Sequence, residues 1–347
     1  MSDDLSQELR QKFPHGLMLR ASVVLVEGEN AELVVLGERG FQVGGADDAL
    51  RHWAGLLVAG LRWDRFEPTG LRLALLAEFA ARDMLVGLPR SARTDQYTKQ
   101  RLWLAQAADE PDSAAERISG HRAVVVGCGG IGSIVAVHLA AMGVRELLLI
   151  DHDAVEVTNF NRQFTFRRAD LGRPKVDALG DFLAERYPDT RIDKVRVLVG
   201  DGTLPAVAGP LAEGAGPGGW TLFCCADRPV GTLSALVAGF AKDYGGTVVF
   251  AAAGLEEAAV GPVLGAADET GHQLFAEEME QLGAMARTTL GDPIMAASIA
   301  PVNTMAATWM VSEWLNGVVL RRRTRARSSR FVMNLKDTLV QEERSWC

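Results

Sequence analysis

The sequence predicts an α/β protein built on a mostly parallel sheet and preceded by a small α+β unit. Three observations carry that expectation. The chain has 347 residues, and single cores usually stop growing at about 250, so two cores are expected. From His121 onward, continuous apolar runs (AVVVG, ELLLID, DKVRVLV, TLFCCAD, TVVFAAA) alternate with helical segments, as in parallel strands covered on both faces. Residues 17–44 read differently, as short alternating strands around a Gly37-Glu38-Arg39-Gly40 turn.

Composition narrows the function classes. Hydrophobic residues make up 48% and charged residues 23%, a globular balance that excludes disorder. A net charge of -8 argues against a protein that neutralises a nucleic-acid backbone. The cluster Arg321, Arg322, Arg323, Arg325 and Arg327 reads as a solvated helix end or loop. Four cysteines with no C-x-x-C pair make neither a disulfide framework nor a zinc site. The start MSDDLSQELRQKF lacks an apolar signal core, and apolar runs fall well short of the ~20 residues of a membrane span. A cytoplasmic protein without membrane or nucleic-acid partners is expected.

The chain divides at residues 1–88, 89–118 and 119–347. In the first part, Asp47 and Asp48 precede a helix in ALRHWAGLLVAGL, and a Pro68-Thr69-Gly70 break precedes another in LRLALLAEFAARDML. The second part is a polar connector with one amphipathic stretch, YTKQRLWLAQA. In the third part, GHQLFAEEMEQLGAMA reads as a helix or an acidic flap over the sheet edge. SIAPVNTMAATWMVSEWL reads as a long apolar helix, buried in this chain or against a second subunit, and Met295, just ahead of it, with Met305 and Met310 fills an apolar face.

The first strand of the sheet ends in Gly127-Cys128-Gly129-Gly130-Ile131-Gly132 and runs directly into a helix. Such a loop turns sharply, lets a phosphate approach the backbone, and offers it free N–H groups at the helix N-terminus. The second strand ends at Asp151, an acceptor for ribose hydroxyls. These two features alone describe an NAD site. The next stretch of chain departs from one: Asp151-His152-Asp153-Ala154-Val155-Glu156-Val157-Thr158-Asn159-Phe160-Asn161-Arg162-Gln163, then Gly172-Arg173-Pro174-Lys175. Displacement at an α-phosphate needs cations clamping a triphosphate as charge develops, and Arg162 and Lys175 suit that task. A further strand ends at Cys224-Cys225-Ala226-Asp227, placing a hard oxygen ligand where magnesium would meet a polyphosphate.

Together, GCGGIGS, LLLIDHDAVEVTNFNRQF, GRPKV and CCADRP resemble the adenylation domain of the ThiF, MoeB and ubiquitin-activating-enzyme superfamily, over roughly residues 119–320. GLEEAAVGPVLG and SIAPVNTMAATWMVSEWL, behind a small front domain, are similar to its peptide-modifying MccB-like branch. The resemblance implies a Rossmann-like adenylation domain and a winged-helix-like front domain, residues 1–88, that clamps a ribosomal precursor peptide by its leader. It implies ATP and magnesium, with a peptide C-terminal carboxylate or carboxamide-derived group attacking the α-phosphate and releasing pyrophosphate. Carried over, Gly127, Gly129, Gly130 and Gly132 line the nucleotide, Asp151 holds the ribose, and Asn159, Arg162 and Lys175 contact the phosphates. Asp153 and Gln163 stand in the same site, and Asp227 holds magnesium.

The pattern departs from the family in three places. A cross-subunit arginine within Y-[ST]-R-[QN] is replaced here by Tyr97-Thr98-Lys99-Gln100-Arg101, so Lys99, or Arg101, would stand in within the implied homodimer. The paired C-x-x-C motifs of zinc-bearing members are missing. Cys128, Cys224, Cys225 and Cys347 read as packing or tail residues, so no thioester is expected. The outcome after activation stays open among a nucleotidyl peptide, a cyclised or dehydrated peptide, and a sulfur-carrier acyl adenylate. A non-catalytic leader-binding module and an NAD-dependent oxidoreductase are the competing classes.

Overall fold

The computed structural model describes residues 2–28, 32–67, 69–91, 93–289, 297–324, 326–336 and 340–346. Pro68, Met295, Arg325 and Cys347 lie outside them. The chain forms two compact units, Met1–Ala115 and Glu116–Cys347.

The first unit contains α1 (Ser2–Lys12), β1 (Leu17–Leu19), β2 (Val24–Glu27), β3 (Leu33–Leu36), β4 (Phe41–Val43), α2 (Asp48–Ala59), α3 (Gly70–Ala81), β5 (Leu85–Gly87) and α4 (Thr98–Ala107). Helix α2 starts where the Asp47 carboxylate accepts the Leu50 N–H at 2.7 Å, and α3 where Thr69 accepts from Arg72 at 3.3 Å. β2, β3 and β4 form an antiparallel ribbon, while β1 pairs with β5, joining the unit's early and late segments. Leu17, Trp53, Leu57, Leu76 and Phe79 are buried in a core of its own. Helix α1 escapes a periodicity reading because SDDLSQELRQK is polar, and only Leu9 of its described side chains is fully buried.

Helix α5 (Pro111–Gly120) spans the division, in a stretch expected to be connector. It forms because Pro111 sits in its first turn and Ala114 and Ile118, one turn apart, are buried.

The second unit continues with β6 (Arg122–Val126), α6 (Gly132–Met142), β7 (Glu146–Ile150), α7 (Lys175–Arg186), β8 (Arg191–Val195), α8 (Thr203–Ala215), β9 (Trp220–Cys224), α9 (Thr232–Asp243) and β10 (Thr247–Ala253). It ends with β11 (Glu257–Gly265), α10 (Glu269–Thr288), α11 (Ala300–Trp314), β12 (Ser329–Asn334) and β13 (Val340–Ser345). The sheet order is β13-β12-β11-β10-β9-β6-β7-β8, parallel from β10 to β8 and extended antiparallel by β11 to β13. The strand order reverses beside β6, which has β7 on one side and β9 on the other. Open α/β sheets bind ligands at such a switch point.

Several expectations shift for physical reasons. DKVRVLV was expected to be a strand throughout, but β8 stops at Val195 because it is an edge strand, half-exposed, and the chain leaves the sheet there. GHQLFAEEMEQLGAMA is helix α10, whose Phe275 stacks at 4.6 Å on Phe250 of β10. Helix α11 is not buried all round. Val302, Ala306, Met310 and Trp314 face the core, while Met305 and Trp309 line an open groove with Thr304, Thr308 and Ser312. Arg321, Arg322, Arg323 and Arg327 are exposed after α11. Among the described residues, no helix is long and apolar enough to cross a membrane.

His121, just ahead of β6, makes this core sensitive to pH. It is 4% exposed, and the Trp314 indole N–H donates to its Nε2 at 3.3 Å while Thr221 Oγ1 lies 2.9 Å from the same nitrogen. Accepting at Nε2 requires the neutral ring with its proton on Nδ1. Burial pushes its pKa from 6.5 down to about 4. The unfolded chain therefore binds a proton below 6.5 that the folded chain refuses until about 4, so stability falls across that window as pH drops. The expected loss at pH 5 is about 2 kcal/mol relative to neutral pH. Urea titrations should show this slope flattened in His121→Phe, and an identical slope in the variant would assign the effect elsewhere.

Candidate functional site

Three strand ends meet at the switch point. Val126 pairs with Ile150 on one side and Cys224 on the other, so Gly127, Asp151 and Cys225 all emerge one residue later at the same level. Gly127 has φ +89°, and a β-carbon there would lie 2.9 Å from Ala226 N. At Gly132 a β-carbon would run into the Gly127 carbonyl. The loop is thus folded tightly on itself, and α6 opens at Gly132 without a side-chain cap; Ser133 and Ile134 N–H already donate to Gly129 O and Ile131 O at 3.1 Å, so among the described residues the amides left for an anion are those of the loop, Gly129 to Gly132.

A cavity of about 510 Å³ opens over these ends. It is lined by Gly127, Gly129, Gly130, Asp151, Asp153, Arg162, Gln163, Lys175 and Asp227, which the sequence singled out. Gly132, the first residue of α6, is not among them. Asn159 is not among the residues that line the cavity either. Its Oδ1 instead accepts the Glu156 N–H at 2.9 Å, and its carbonyl accepts from Arg162 and Gln163, so it builds the turn that carries both. A short side chain beside a turn finds backbone partners first.

Asp151 is buried at 8% exposure, with Oδ2 accepting the Cys128 N–H at 2.6 Å and Oδ1 the Asp153 N–H at 2.8 Å. It pins the glycine loop and keeps lone pairs for a ribose hydroxyl. Lys175 is buried at 7% exposure as the first residue of α7, where the helix dipole disfavours a cation. Asp153 compensates, its Oδ2 accepting from Lys175 Nζ at 2.8 Å. Desolvation pushes the Asp153 carboxyl up, but the Lys175 hydrogen bond and charge, with His152 nearby, outweigh it and hold the pKa below the usual range. Arg162 is half-buried, its Nη1 donating to Thr158 O at 2.9 Å and Asn161 Oδ1 at 2.8 Å. Gln163 is 2% exposed, and among the described residues its Oε1 accepts no hydrogen bond. A buried orphan acceptor on a cavity wall is a place for a ligand donor.

Asp227 is exposed at the cavity, and among the described residues it makes no ion pair. Such an oxygen donor fits magnesium, which takes one or two carboxylates with phosphate oxygens and waters. Asp151, His152 and Asp153 also bring three donor atoms within 4.8 Å of one another, but Asp151 and Asp153 already accept from backbone amides and Lys175. Lys99 is exposed on α4 of the first unit, whereas Arg101 pairs with Asp95 at 2.9 Å. Burial pushes the thiols of Cys128, Cys224 and Cys225 up, that of Cys224 to about 12, and a protonated thiol is a poor nucleophile.

Sequence reasoning missed part of the wall: Val197, Leu198 and Val199 beyond β8, Ala251, Ala252 and Ala253 at the end of β10, and Ala297, Ser298 and Asn303 around the start of α11. The residue types are ordinary, and only the sheet order brings them here.

A glycine loop at the switch point of a doubly wound sheet, with a buried acid after the next strand and two cations over the loop, defines an α/β nucleotide-binding protein. The chain belongs to the ThiF family, whose model matches residues 100–344. It is 29% identical over 98 residues to the NEDD8-activating enzyme E1 catalytic subunit of Schizosaccharomyces pombe, covering 28% of this chain and 22% of that protein. It is 36% identical over 92 residues to the molybdopterin-synthase adenylyltransferase of Escherichia coli, covering 26% and 37%. The matched stretches thus span well under two thirds of these curated relatives. The fold matches Escherichia coli MccB solved with ATP, with a TM-score of 0.67 at 16% identity over 95% of this chain and 96% of that one. It also matches the microcin C7 biosynthetic enzyme MccB in complex with N-formylated MccA, with a TM-score of 0.65 at 17% identity over 95% and 96%.

Proposed function

We propose that this chain activates a carboxylate with ATP and magnesium by adenylylation. The observation that carries the reading is the single cavity shared by the glycine loop, Asp151, Arg162, Lys175 and Asp227. A carboxylate oxygen attacks the α-phosphorus, the bond to the bridging oxygen of the β-phosphate breaks, and pyrophosphate leaves. The products are an acyl adenylate and pyrophosphate. No protein nucleophile takes part, in keeping with the buried thiols.

Each residue has a task. The loop amides from Gly129 to Gly132 and the Arg162 guanidinium hold the phosphates. Lys175 exchanges its Asp153 partner for phosphate oxygen and offsets charge as it develops in the transition state. Asp151 accepts from the ribose, and the apolar run Val197, Leu198 and Val199 suits the base. Asp227 would hold magnesium, which neutralises the polyphosphate when bound.

The acceptor we assign is the C-terminal region of a ribosomal precursor peptide, with the first unit as its clamp. Support comes from the fold match to MccB along nearly the whole chain, first unit included, and from the MccB complex with MccA. A small carrier protein is the second reading, favoured by the local 36% identity to the molybdopterin-synthase enzyme. Mass spectrometry of the product separates the two. Lys99 would reach a partner subunit's site in a homodimer, which a single-chain mass by light scattering would remove.

Pyrophosphate exchange into ATP should depend on magnesium and on a precursor peptide encoded beside the gene. Asp227→Asn should lower the rate about a hundredfold and raise the magnesium requirement. Stabilisation by NAD but not by magnesium ATP would return the site to the dinucleotide reading.

A further inference from the structure

Asp151, Arg162 and Lys175, which mark the nucleotide, follow β7, and Asp227 and Arg228 follow β9 at the middle of the cavity. The next strand, β10, contributes only Ala251, Ala252 and Ala253 to the cavity, and Ala297 and Ser298 add to this uncharged wall. On the proposed reading, the nucleotide occupies the charged side and the acceptor must enter over the uncharged one. In-line attack requires reacting atoms about 3–3.5 Å apart, so the two sides must be held in register.

The structure contains a hydrogen-bonded link that does this. Asn161 Oδ1 accepts from Arg162 Nη1 at 2.8 Å, while its Nδ2 donates to Ser298 O at 2.8 Å. From the other direction, Asn303 Nδ2 donates to Ser298 Oγ at 2.8 Å and Ile299 O at 2.7 Å. Asn303 is 5% exposed, and its Oδ1 lies where a β-carbon on Gly130 would be. Residues 297–299 are thus tied to the phosphate arginine by Asn161 and to the phosphate loop by Asn303. The two links are about 140 positions apart in sequence yet converge on one serine, Ser298.

We propose that Asn161 and Asn303 are positioning residues, holding residues 297–299 as the acceptor wall in register with Arg162 and the glycine loop. Arg162 drawn onto a phosphate then carries Asn161 and the wall with it, so that nucleotide binding firms the surface the acceptor meets.

Hydrogen exchange on the full chain tests this with α,β-methylene ATP and magnesium as the probe. In the wild type, the probe should slow exchange across residues 297–303. Asn161 is exposed, so Asn161→Ala keeps its core; it should speed basal exchange there about fivefold, the equivalent of one hydrogen bond, and abolish the nucleotide-dependent part. Probe affinity in Asn161→Ala should stay within about twofold, because Thr158 O still holds Arg162. Asn303→Ala should speed basal exchange and also weaken the probe, since it removes the packing on Gly130. Nucleotide protection that survives in Asn161→Ala, or a wild-type segment blind to a bound probe, overturns the proposal. A chain that binds no probe at all defeats the nucleotide reading, and basal exchange unchanged in Asn161→Ala then defeats the link separately.

Discussion

Replacing Lys175 with alanine is expected to lower kcat/KM for pyrophosphate exchange about 10²–10³-fold, the range for losing one preorganised charge at a reacting centre. The size follows from its placement. Lys175 is 7% exposed at the first position of α7, where the positive end of the helix makes a cation unfavourable. Its ammonium stays in place through one partner, Asp153 at 2.8 Å, on the cavity wall. A phosphate can take over that partnership without moving the helix, so little reorganisation is needed during reaction. Thermal stability should change much less than activity, because Asp153 is half-exposed and water can take the place of Lys175 on its carboxylate. Initial rates and a thermal melt on the same preparation check both halves. A variant within threefold of wild-type rate would remove Lys175 from the phosphate site.

The second large effect concerns stability. Trp346→Ala should cost about 3–5 kcal/mol, as large aromatic-to-alanine changes in cores do. Trp346 is fully buried, its ring meeting Phe275 edge-on at 5.3 Å, with the Arg330 guanidinium 5.4 Å from the ring centroid. Its indole N–H donates to Glu278 Oε2 at 3.1 Å, and Arg344 reaches the same oxygen at 2.9 Å. Its backbone N–H donates to Ser328 O at 2.7 Å, so the residue fastens β13 to the start of β12 as well as to α10. Trp346→Phe restores most of the packing and should cost only about 1 kcal/mol for the lost indole bond. Urea midpoints that placed the two variants together would show that the ring contributes little.

The sequence made the central part of the site legible because its chemistry is local. A strand, a glycine loop and a helix are contiguous, so Gly127 to Gly132 could be assigned before any tertiary contact was known. Arg162 and Lys175 stood out because cations following the ribose acid fit a triphosphate better than a nicotinamide. Asn159 shows where a residue type alone is ambiguous, since the same side chain serves a phosphate or a turn, and here its Oδ1 accepts the Glu156 N–H. Met305 also turned outward, because an apolar helix can leave a groove open wherever the sheet does not cover it.

By itself, then, the sequence determined the doubly wound sheet, the glycine loop and the charged residue types that meet at the cavity, all features set by hydrophobic period and neighbouring residues. The tertiary structure alone decided what completes the cavity. Ser298 just ahead of α11, Asn303 in its first turn, the alanines ending β10 and the valines beyond β8 are ordinary residues far apart in the chain. They face one another because β9 pairs with β6 rather than β8, and because α11 packs on β10 and β11. Hydrophobic burial fixes those pairings across long sequence separations, and no local pattern encodes them.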